Sequence, residues 1–215
     1  RLTRGAETGQ GFPLTLGARG SCTIGGLAAT NAGGTQVLKF GTMRSLVFGV
    51  EAVLPDASIH DGLSGLKKDN RGYNLDQLLL GSEGTIGIIT AAALRLVPAA
   101  AARAVAWAGL ADPERALDLL NLMQSRTDRI EGFEIVPRDC LDMVLGHIPG
   151  TRSPLQGQHE WNVLIEATSE SADVDPGELL QPLLAQALER DMIEDAALAG
   201  NEAQAEAFWR IRDSI

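Results

Sequence analysis

The chain has 215 residues, of which 45% are hydrophobic and 21% charged, a composition that excludes a disordered chain and allows one large domain or two modest ones. Its formal net charge of −10 argues against nucleic acid or an anionic membrane surface as the main partner. Glycine content and charge both change at Pro98: residues 1–98 carry 17 of the 24 glycines and a net charge of +2, whereas residues 99–215 carry −12. Two segments of different character are therefore joined at this proline.

The first segment combines glycine-rich loops with short apolar runs. Residues 1–45 show little helical periodicity. Residues 46–54 (LVFGVEAVL) are apolar and β-rich, and Pro55-Asp56 supplies a turn before the chain resumes at Ile59, which predicts a hairpin of two buried strands. Residues 61–81 predict a polar loop, and residues 86–97 predict another buried strand that ends at Pro98.

The second segment alternates strands with helices. Strands are predicted at 104–110, 131–136 and 161–168, and helices at 137–146, at 179–192 and from 202 onward. Asp112 and Pro113 have the residue types of an N-cap and a first helical turn, and apolar residues at helical spacing follow them to about Ser125. Pro182 either belongs to the first turn of its helix or kinks it. The alternation predicts an α+β or α/β layer.

Residue counts exclude several kinds of site. The two cysteines are 118 positions apart without a CxxC motif, so we expect no disulfide framework, a reducing compartment and a cytoplasmic location. The longest apolar stretch, residues 86–102, is interrupted by Arg95 and Pro98, so we expect no transmembrane segment. The spacing of metal ligands is absent among the three histidines, which are His60, His147 and His159. No metal site is therefore predicted within the chain.

The densest chemical signal lies at residues 17–34 (GARGSCTIGGLAATNAGG). Glycines let the backbone approach a ligand and present N–H groups, and hydroxyl and amide side chains add donors for anionic oxygens. The run is neither a GxGxxG motif nor a GxxxxGK[ST] loop, so it supports neither a Rossmann nicotinamide site nor a P-loop. It predicts either a diphosphate site or a set of tight structural turns. A second glycine-rich segment at 81–90 could converge on the same extended ligand.

Four blocks in a fixed order carry a family resemblance: FPLTLGARGSCTIGGLAATNAGG (12–34), KFGTMRSLVFGVEAVLPD (39–56), KKDNRGYNLDQLLLGSEGTIGIIT (67–90) and RLVP (95–98). Further blocks follow at 146–155, 161–169 and 208–215. Together they resemble the FAD-linked oxidases of the vanillyl-alcohol-oxidase type, and within them the D-2-hydroxyacid dehydrogenases that act on D-lactate, glycolate or D-2-hydroxyglutarate. Leu27, Phe40, Arg71 and Asn74 depart from the residues usual in that family, which leaves details of the flavin pocket open.

The resemblance implies an α+β protein with two parts. Residues 1–98 would be the second part of a PCMH-type FAD-binding domain, and residues 99–215 the first part of an α+β, ferredoxin-like cap domain that selects the substrate. The chain would then be an internal fragment. The first flavin half would precede Arg1, and a histidine segment with the catalytic base, which in several members also holds a metal, would follow Ile215. We expect the fragment alone to be inactive.

The resemblance also implies site residues for the cofactor FAD and for the substrate. One group would face the pyrophosphate and isoalloxazine: Pro13, Gly17, Gly20, Ser21, Thr23, Gly25, Gly26, Thr30, Asn31 and Gly33. A second group would line the adenosine part: Glu83, Gly84, Gly87, Ile88 and Ile89. Arg212 would grip the substrate carboxylate with its planar guanidinium, the alternative being a solvated helix arginine.

The predicted function is oxidation of a D-2-hydroxy acid to a 2-oxo acid, with hydride transfer to the flavin and an unidentified electron acceptor. Two alternatives stay open. One is an FAD-dependent oxidase that acts on another alcohol, and the other is a non-catalytic flavin-fold subunit of a multi-subunit dehydrogenase. A homo-oligomer is also left open.

Overall fold

The structure, a computed structural model, describes residues 9–17, 20–66, 68, 70 and 72–215. It divides into two compact units, Arg1–Ala99 and Ala100–Ile215. Residues 18 and 19 of the first glycine-rich segment, and residues 67, 69 and 71 of the KKDNRGYNL motif, lie outside the described residues. The departure from the family pattern at Arg71 is among them.

The first unit is built from short elements. In chain order these are β1 (Gln10–Gly11), α1 (Ile24–Ala29), α2 (Val37–Phe40), α3 (Met43–Leu46), β2 (Val47–Val53), β3 (Ile59–Asp61), α4 (Asp76–Leu79), β4 (Ile88–Leu94) and β5 (Val97–Pro98). Strands β3, β2 and β4 form an antiparallel sheet in that order, and β1 pairs with β5. The predicted pairing of two strands is confirmed, because Leu54 N donates to Ser58 O at 2.9 Å to close the turn between β2 and β3. The prediction that both strands are buried is wrong, since Ile59 of β3 is 68% exposed.

Helix α1 was missed by the sequence analysis, which found little helical periodicity there. The helix has only six residues, IGGLAA, so it is too short to show a full apolar period. Thr23 is its N-cap, and the Thr23 hydroxyl accepts from Gly26 N. Its buried residues, Leu27 and Ala28, pack into the core of the first unit together with Met43 and Leu46. Tertiary packing therefore holds this helix in place.

The second unit has longer elements. They are β6 (Ala102–Leu110), α5 (Pro113–Gln124), β7 (Ile130–Pro137), α6 (Arg138–His147), β8 (Trp161–Ser169), α7 (Pro176–Glu189), β9 (Asp195–Leu198) and α8 (Glu202–Asp213). The four strands form an antiparallel sheet in the order β7-β8-β6-β9. With α6 and α8 set aside, this is the βαββαβ order of a ferredoxin-like fold. The predicted α+β, ferredoxin-like class is confirmed.

Side chains along β6 alternate between the two faces of the sheet, and each face carries its own apolar core. Ala106, Ala108 and Leu110 of β6 lie in one core together with buried residues of α5 and α7. Val105 and Trp107 point to the opposite face and share a core with Phe208 and Ile211 of α8. Successive strand residues point to opposite faces, so one strand serves both cores. Helix α8, which carries Arg212, therefore packs on the face opposite to α5 and α7.

Helix starts in this unit follow capping chemistry. The predicted start of α5 is confirmed, since the Asp112 carboxylate accepts from Arg115 N at 2.9 Å and Pro113 follows it. The predicted start of α7 at residue 179 is too late. Asp175 accepts from Gly177 N, and Pro176 occupies the first turn. Pro182 therefore lies inside the helix, which excludes the first-turn position among its two alternatives. Among the described residues, no helix combines the length and the apolarity needed to span a membrane.

Candidate functional site

The two glycine-rich segments of the first unit meet. Gly81 N donates to Ala28 O at 3.0 Å, and Glu83 N donates to Ala29 O at 2.8 Å. The loop that follows α4 is therefore held against the last turn of α1. Gly81, with a φ of 81°, allows this approach, because an added Cβ would lie only 3.2 Å from the Cβ of Asn31. The structure thus brings Asn31 beside Gly81 and the end of α1 beside Glu83.

Arg44 forms hydrogen bonds to both sides of the contact between α1 and the loop after α4, although no sequence pattern indicates this role. Its backbone N–H donates to the Oδ1 atom of Asn31 at 2.9 Å, and its guanidinium donates to the carbonyl oxygen of Leu80 at 2.5 Å. Asn31 itself has a φ of 48°, in the left-handed region that asparagine tolerates better than most residues. One arginine therefore links both glycine-rich segments and places a positive charge at the point where they meet.

The glycines of the predicted site fall into two groups. At the exposed Gly17 and Gly20, an added Cβ would have no described atom within 4 Å. The others are close to neighbouring atoms: Gly25 to Ile89 O (3.4 Å), Gly26 to Thr23 Oγ1 (3.1 Å), Gly33 to Val37 Cγ2 (2.7 Å), Gly84 to Ile88 Cδ1 (3.5 Å) and Gly87 to Leu79 Cδ2 (2.9 Å). Gly33 and Gly87 have a packing reason to be glycine, the contact at Gly26 is tight, and the distances at Gly25 and Gly84 are those of ordinary contacts. Among the described residues of the predicted site, Gly17 and Gly20 leave the most room for a ligand above the backbone.

The remaining predicted residues of the first unit differ in exposure. Ser21, Thr23 and Thr30 are exposed, and Thr30 donates its hydroxyl to Gly26 O at 2.9 Å. Glu83 and Ile88 are exposed as well, Ile89 is half-buried, and Pro13 is buried. The exposed Gly17, Gly20 and Ser21 offer glycine backbone and a hydroxyl group, with no described atom within 4 Å of an added Cβ at either glycine. Because diphosphate oxygens accept from such donors, this stretch fits the diphosphate of a dinucleotide.

The histidines take part in local hydrogen bonds. His60 Nε2 lies 2.9 Å from Asp76 Oδ1 at the wall of a cleft of about 690 Å³ in the first unit. His147 Nδ1 lies 2.9 Å from Met143 O, and the buried His159 has its Nδ1 atom 2.6 Å from Glu194 Oε2. Within the described ranges, no three His, Cys, Asp or Glu side chains cluster in a way that could hold a metal ion.

In the second unit, Arg212 is paired with a carboxylate. Arg212 Nε and Nη2 donate to Oε2 of Glu134 on β7 at 2.9 and 2.7 Å, and Arg212 Nη1 lies 3.5 Å from Asp213 Oδ1. The Arg212 side chain is 34% exposed, so it is neither a fully solvated helix arginine nor an enclosed one. No sequence pattern singled out Glu134 as its partner.

A second charged cluster joins α8 to the sheet. Arg103 on β6 donates to Glu166 of β8 at 3.2 Å and contacts Glu202 and Glu206 of α8, and Trp209 Nε1 donates to Glu166 at 2.7 Å. Burial raises the pKa of Glu166 despite these partners. Burial alone would lower the pKa of Arg103, but hydrogen bonds to Glu202 and Glu206 and the charge of Glu166 raise it overall. This cluster fixes the helix on which Arg212 lies.

Two family models match the chain. Residues 1–62 match an FAD binding domain, and residues 99–215 match the C-terminal domain of FAD linked oxidases. The chain belongs to the FAD-linked oxidase family. This confirms the family resemblance and FAD as the cofactor, which the open glycine stretch around Gly20 fits.

Comparison with individual proteins places the chain within the family. It is 36% identical over 205 residues to a mitochondrial D-2-hydroxyglutarate dehydrogenase of Arabidopsis thaliana, covering 95% of the chain and 36% of that protein. It is 36% identical over 211 residues to a putative mitochondrial D-lactate dehydrogenase of Schizosaccharomyces pombe, covering 98% and 40%. The chain therefore spans about two fifths of the length of these FAD-linked oxidase relatives.

A solved alkyldihydroxyacetonephosphate synthase shares the fold, with a TM-score of 0.68 at 16% identity over 97% of the chain and 39% of that protein. The prediction of a cytoplasmic location is wrong by these comparisons, since both curated relatives are named as mitochondrial. The location was predicted from the cysteine spacing, which indicates the redox state of the compartment and not which compartment it is.

Proposed function

We propose that the protein to which this chain contributes is an FAD-dependent dehydrogenase that oxidises a D-2-hydroxy acid to a 2-oxo acid. The names of the relatives support the substrate class. The observation that carries the proposal is Arg212, a half-exposed guanidinium held from one side by Glu134. A guanidinium in a fixed orientation is suited to bind a carboxylate through two hydrogen bonds.

The two units have separate roles in this proposal. Residues 1–98 would provide the FAD surface, with Gly17, Gly20 and Ser21 toward the diphosphate and the loop that contains Glu83 toward the adenosine part. Residues 99–215 would cover the reaction and orient the substrate through Arg212. FAD supplies the hydride acceptor when bound. The contribution of Arg212 is geometric, because a substrate anchored by its carboxylate has its Cα hydrogen in a fixed position.

The test is anaerobic reduction of the flavin in the protein as its gene encodes it. We expect D-lactate or D-2-hydroxyglutarate to bleach the oxidised flavin absorbance, and the L-enantiomers to leave it unchanged. A flavin that no D-2-hydroxy acid reduces would refute the proposal. Formation of hydrogen peroxide in air with another alcohol would instead identify an oxidase, and reduction only in the presence of a partner protein would identify a subunit of a larger dehydrogenase.

The role of Arg212 has its own test. Arg212→Lys keeps the positive charge but removes the planar fork, so we expect KM for the 2-hydroxy acid to rise by about tenfold or more while the flavin stays bound. Arg210→Lys is the matched control, because Arg210 lies on the same helix and donates to the carbonyl oxygen of Pro149 instead of a carboxylate. Equal effects of the two substitutions would contradict the assignment of Arg212.

A further inference from the structure

Glu134 uses one particular edge of the Arg212 guanidinium. A guanidinium has a side edge, formed by Nε and one terminal nitrogen, and an end edge, formed by the two terminal nitrogens. The Oε2 atom of Glu134 accepts from Nε at 2.9 Å and from Nη2 at 2.7 Å, so Glu134 occupies the side edge. On the end edge, the described structure has only the Asp213 carboxylate, 3.5 Å from Nη1.

Both partners are held by the fold. Glu134 lies on β7, where it pairs in register with Leu164 of β8, so its backbone is fixed within the sheet. Arg212 lies in the last turn of α8, next to the buried Ile211. The close approach of strand and helix is visible at Gly132, where an added Cβ would be 3.4 Å from the Trp209 ring. The pair therefore joins two rigid elements.

We propose that Glu134 is a positioning residue for substrate binding: by holding the side edge of Arg212, it turns the end edge toward the substrate carboxylate. The inference rests on the proposed function. A free arginine side chain samples many rotamers, and a ligand must immobilise it on binding, whereas a side chain that is already oriented avoids most of this cost. Glu134 also balances the charge of Arg212, which is only 34% exposed, while the substrate is absent.

The test compares Glu134→Ala, Glu134→Gln and Asp142→Ala. The alanine variant loses the acceptor, so we expect KM for D-2-hydroxyglutarate and D-lactate to rise about tenfold, with kcat changed less than about threefold. The glutamine variant keeps an amide oxygen as acceptor, so KM should stay within about threefold of wild type. Asp142→Ala is the matched control, because it removes another arginine–carboxylate pair of the same unit, Arg138–Asp142, without touching Arg212.

A second measurement does not depend on turnover. Isothermal titration with 2-oxoglutarate and pyruvate should give the same order of affinity, with wild type and Glu134→Gln alike and Glu134→Ala about tenfold weaker. An alanine variant that binds these acids as tightly as wild type, or more tightly, would overturn the inference, since Glu134 would then be idle or a competitor of the substrate. Failure of the proposed function can be distinguished from failure of this inference. It would appear as a flavin that no 2-hydroxy acid reduces, even if the 2-oxo acids bind more weakly to Glu134→Ala than to wild type.

Discussion

Alanine substitutions at two glycines of the first segment separate ligand binding from chain packing. Gly20 is exposed, and an added Cβ would have no described atom within 4 Å. At Gly34, the added Cβ would lie 1.7 Å from the carbonyl oxygen of Thr15 and 2.9 Å from its carbonyl carbon. The first site has room for a methyl group, and the second has backbone where the methyl group would be.

The expected magnitudes differ in sign as well as in size. An ordinary contact of a Cβ atom is 3.4 Å or longer, so Gly34→Ala must displace the backbone at Thr15 by more than a side-chain adjustment can absorb. Overpacking of this kind costs about 1–3 kcal/mol or more. At Gly20 an added Cβ has no described atom within 4 Å, so Gly20→Ala should leave the free energy of unfolding unchanged or raise it by about 0.4–1 kcal/mol by restricting the unfolded chain.

The assay measures both stability and cofactor affinity. Urea unfolding should show a lower midpoint for Gly34→Ala and a wild-type midpoint for Gly20→Ala. Titration with FAD, followed by flavin fluorescence, should show a weaker dissociation constant for Gly20→Ala, because the new methyl group occupies the space proposed for the diphosphate. Wild-type FAD affinity in Gly20→Ala would refute the diphosphate role of this stretch. Wild-type stability in Gly34→Ala would refute the packing argument.

Three further predictions concern the second unit. Burial raises the pKa of Glu166 above its ordinary value, so the native state binds this proton more tightly than the unfolded chain. The free energy of unfolding should therefore fall as pH rises from about 4.5 through the raised pKa of Glu166. Urea unfolding between pH 4 and 8 should show this fall in wild type but not in Glu166→Gln. Parallel pH profiles of the two proteins would contradict the prediction. Asp112→Ala removes the N-cap of α5 and should lower the free energy of unfolding by about 1 kcal/mol. Asp118→Ala, on the exposed face of the same helix, should change it little. Equal losses of the two variants in urea unfolding would exclude a stabilising role of the cap. Leu119→Ala, at a fully buried position, should lower the free energy of unfolding by about 2–5 kcal/mol in the same assay. The control Leu117→Ala, at an exposed position, should lower it by about 0.5 kcal/mol. A small loss for Leu119→Ala would show that the core can close around the cavity.

The second unit could be predicted from sequence because its elements are long and their signals are local. Helix α5 has 12 residues, an apolar period and a cap, and strand β8 has nine residues with the apolar run VLI at its centre. Strand β9 was missed, since its four residues, DAAL, have low β-propensity and are held by pairing with β6. The predicted start of α7 at residue 179 was also too late, because Pro176 already fills the first turn and Pro182 lies inside the helix.

The first unit was harder to predict for a physical reason. Its helices have four to six residues, fewer than an isolated helix needs, so contacts that are distant in sequence decide whether they form. Arg44 illustrates this: it contacts Asn31 and Leu80, which are 13 and 36 positions away, and no periodicity encodes such a bridge. Glu134 and Arg212 are 78 positions apart, so the partner of the predicted substrate residue was equally hidden.

Glycine content alone therefore cannot distinguish a diphosphate site from a set of tight turns, because glycines with close neighbours and glycines without them occur in the same run of residues. An added Cβ at Gly33 would lie 2.7 Å from Val37 Cγ2, so close packing already accounts for this glycine. Gly17 and Gly20 have no such neighbour among the described residues. Glycine makes folding more costly because it increases the entropy of the unfolded chain, and close approach of a ligand to the backbone is one reason to keep it. We therefore predict that Gly17 and Gly20 face the ligand, whereas Gly33 and Gly81 serve the packing of the chain around α1 and Arg44.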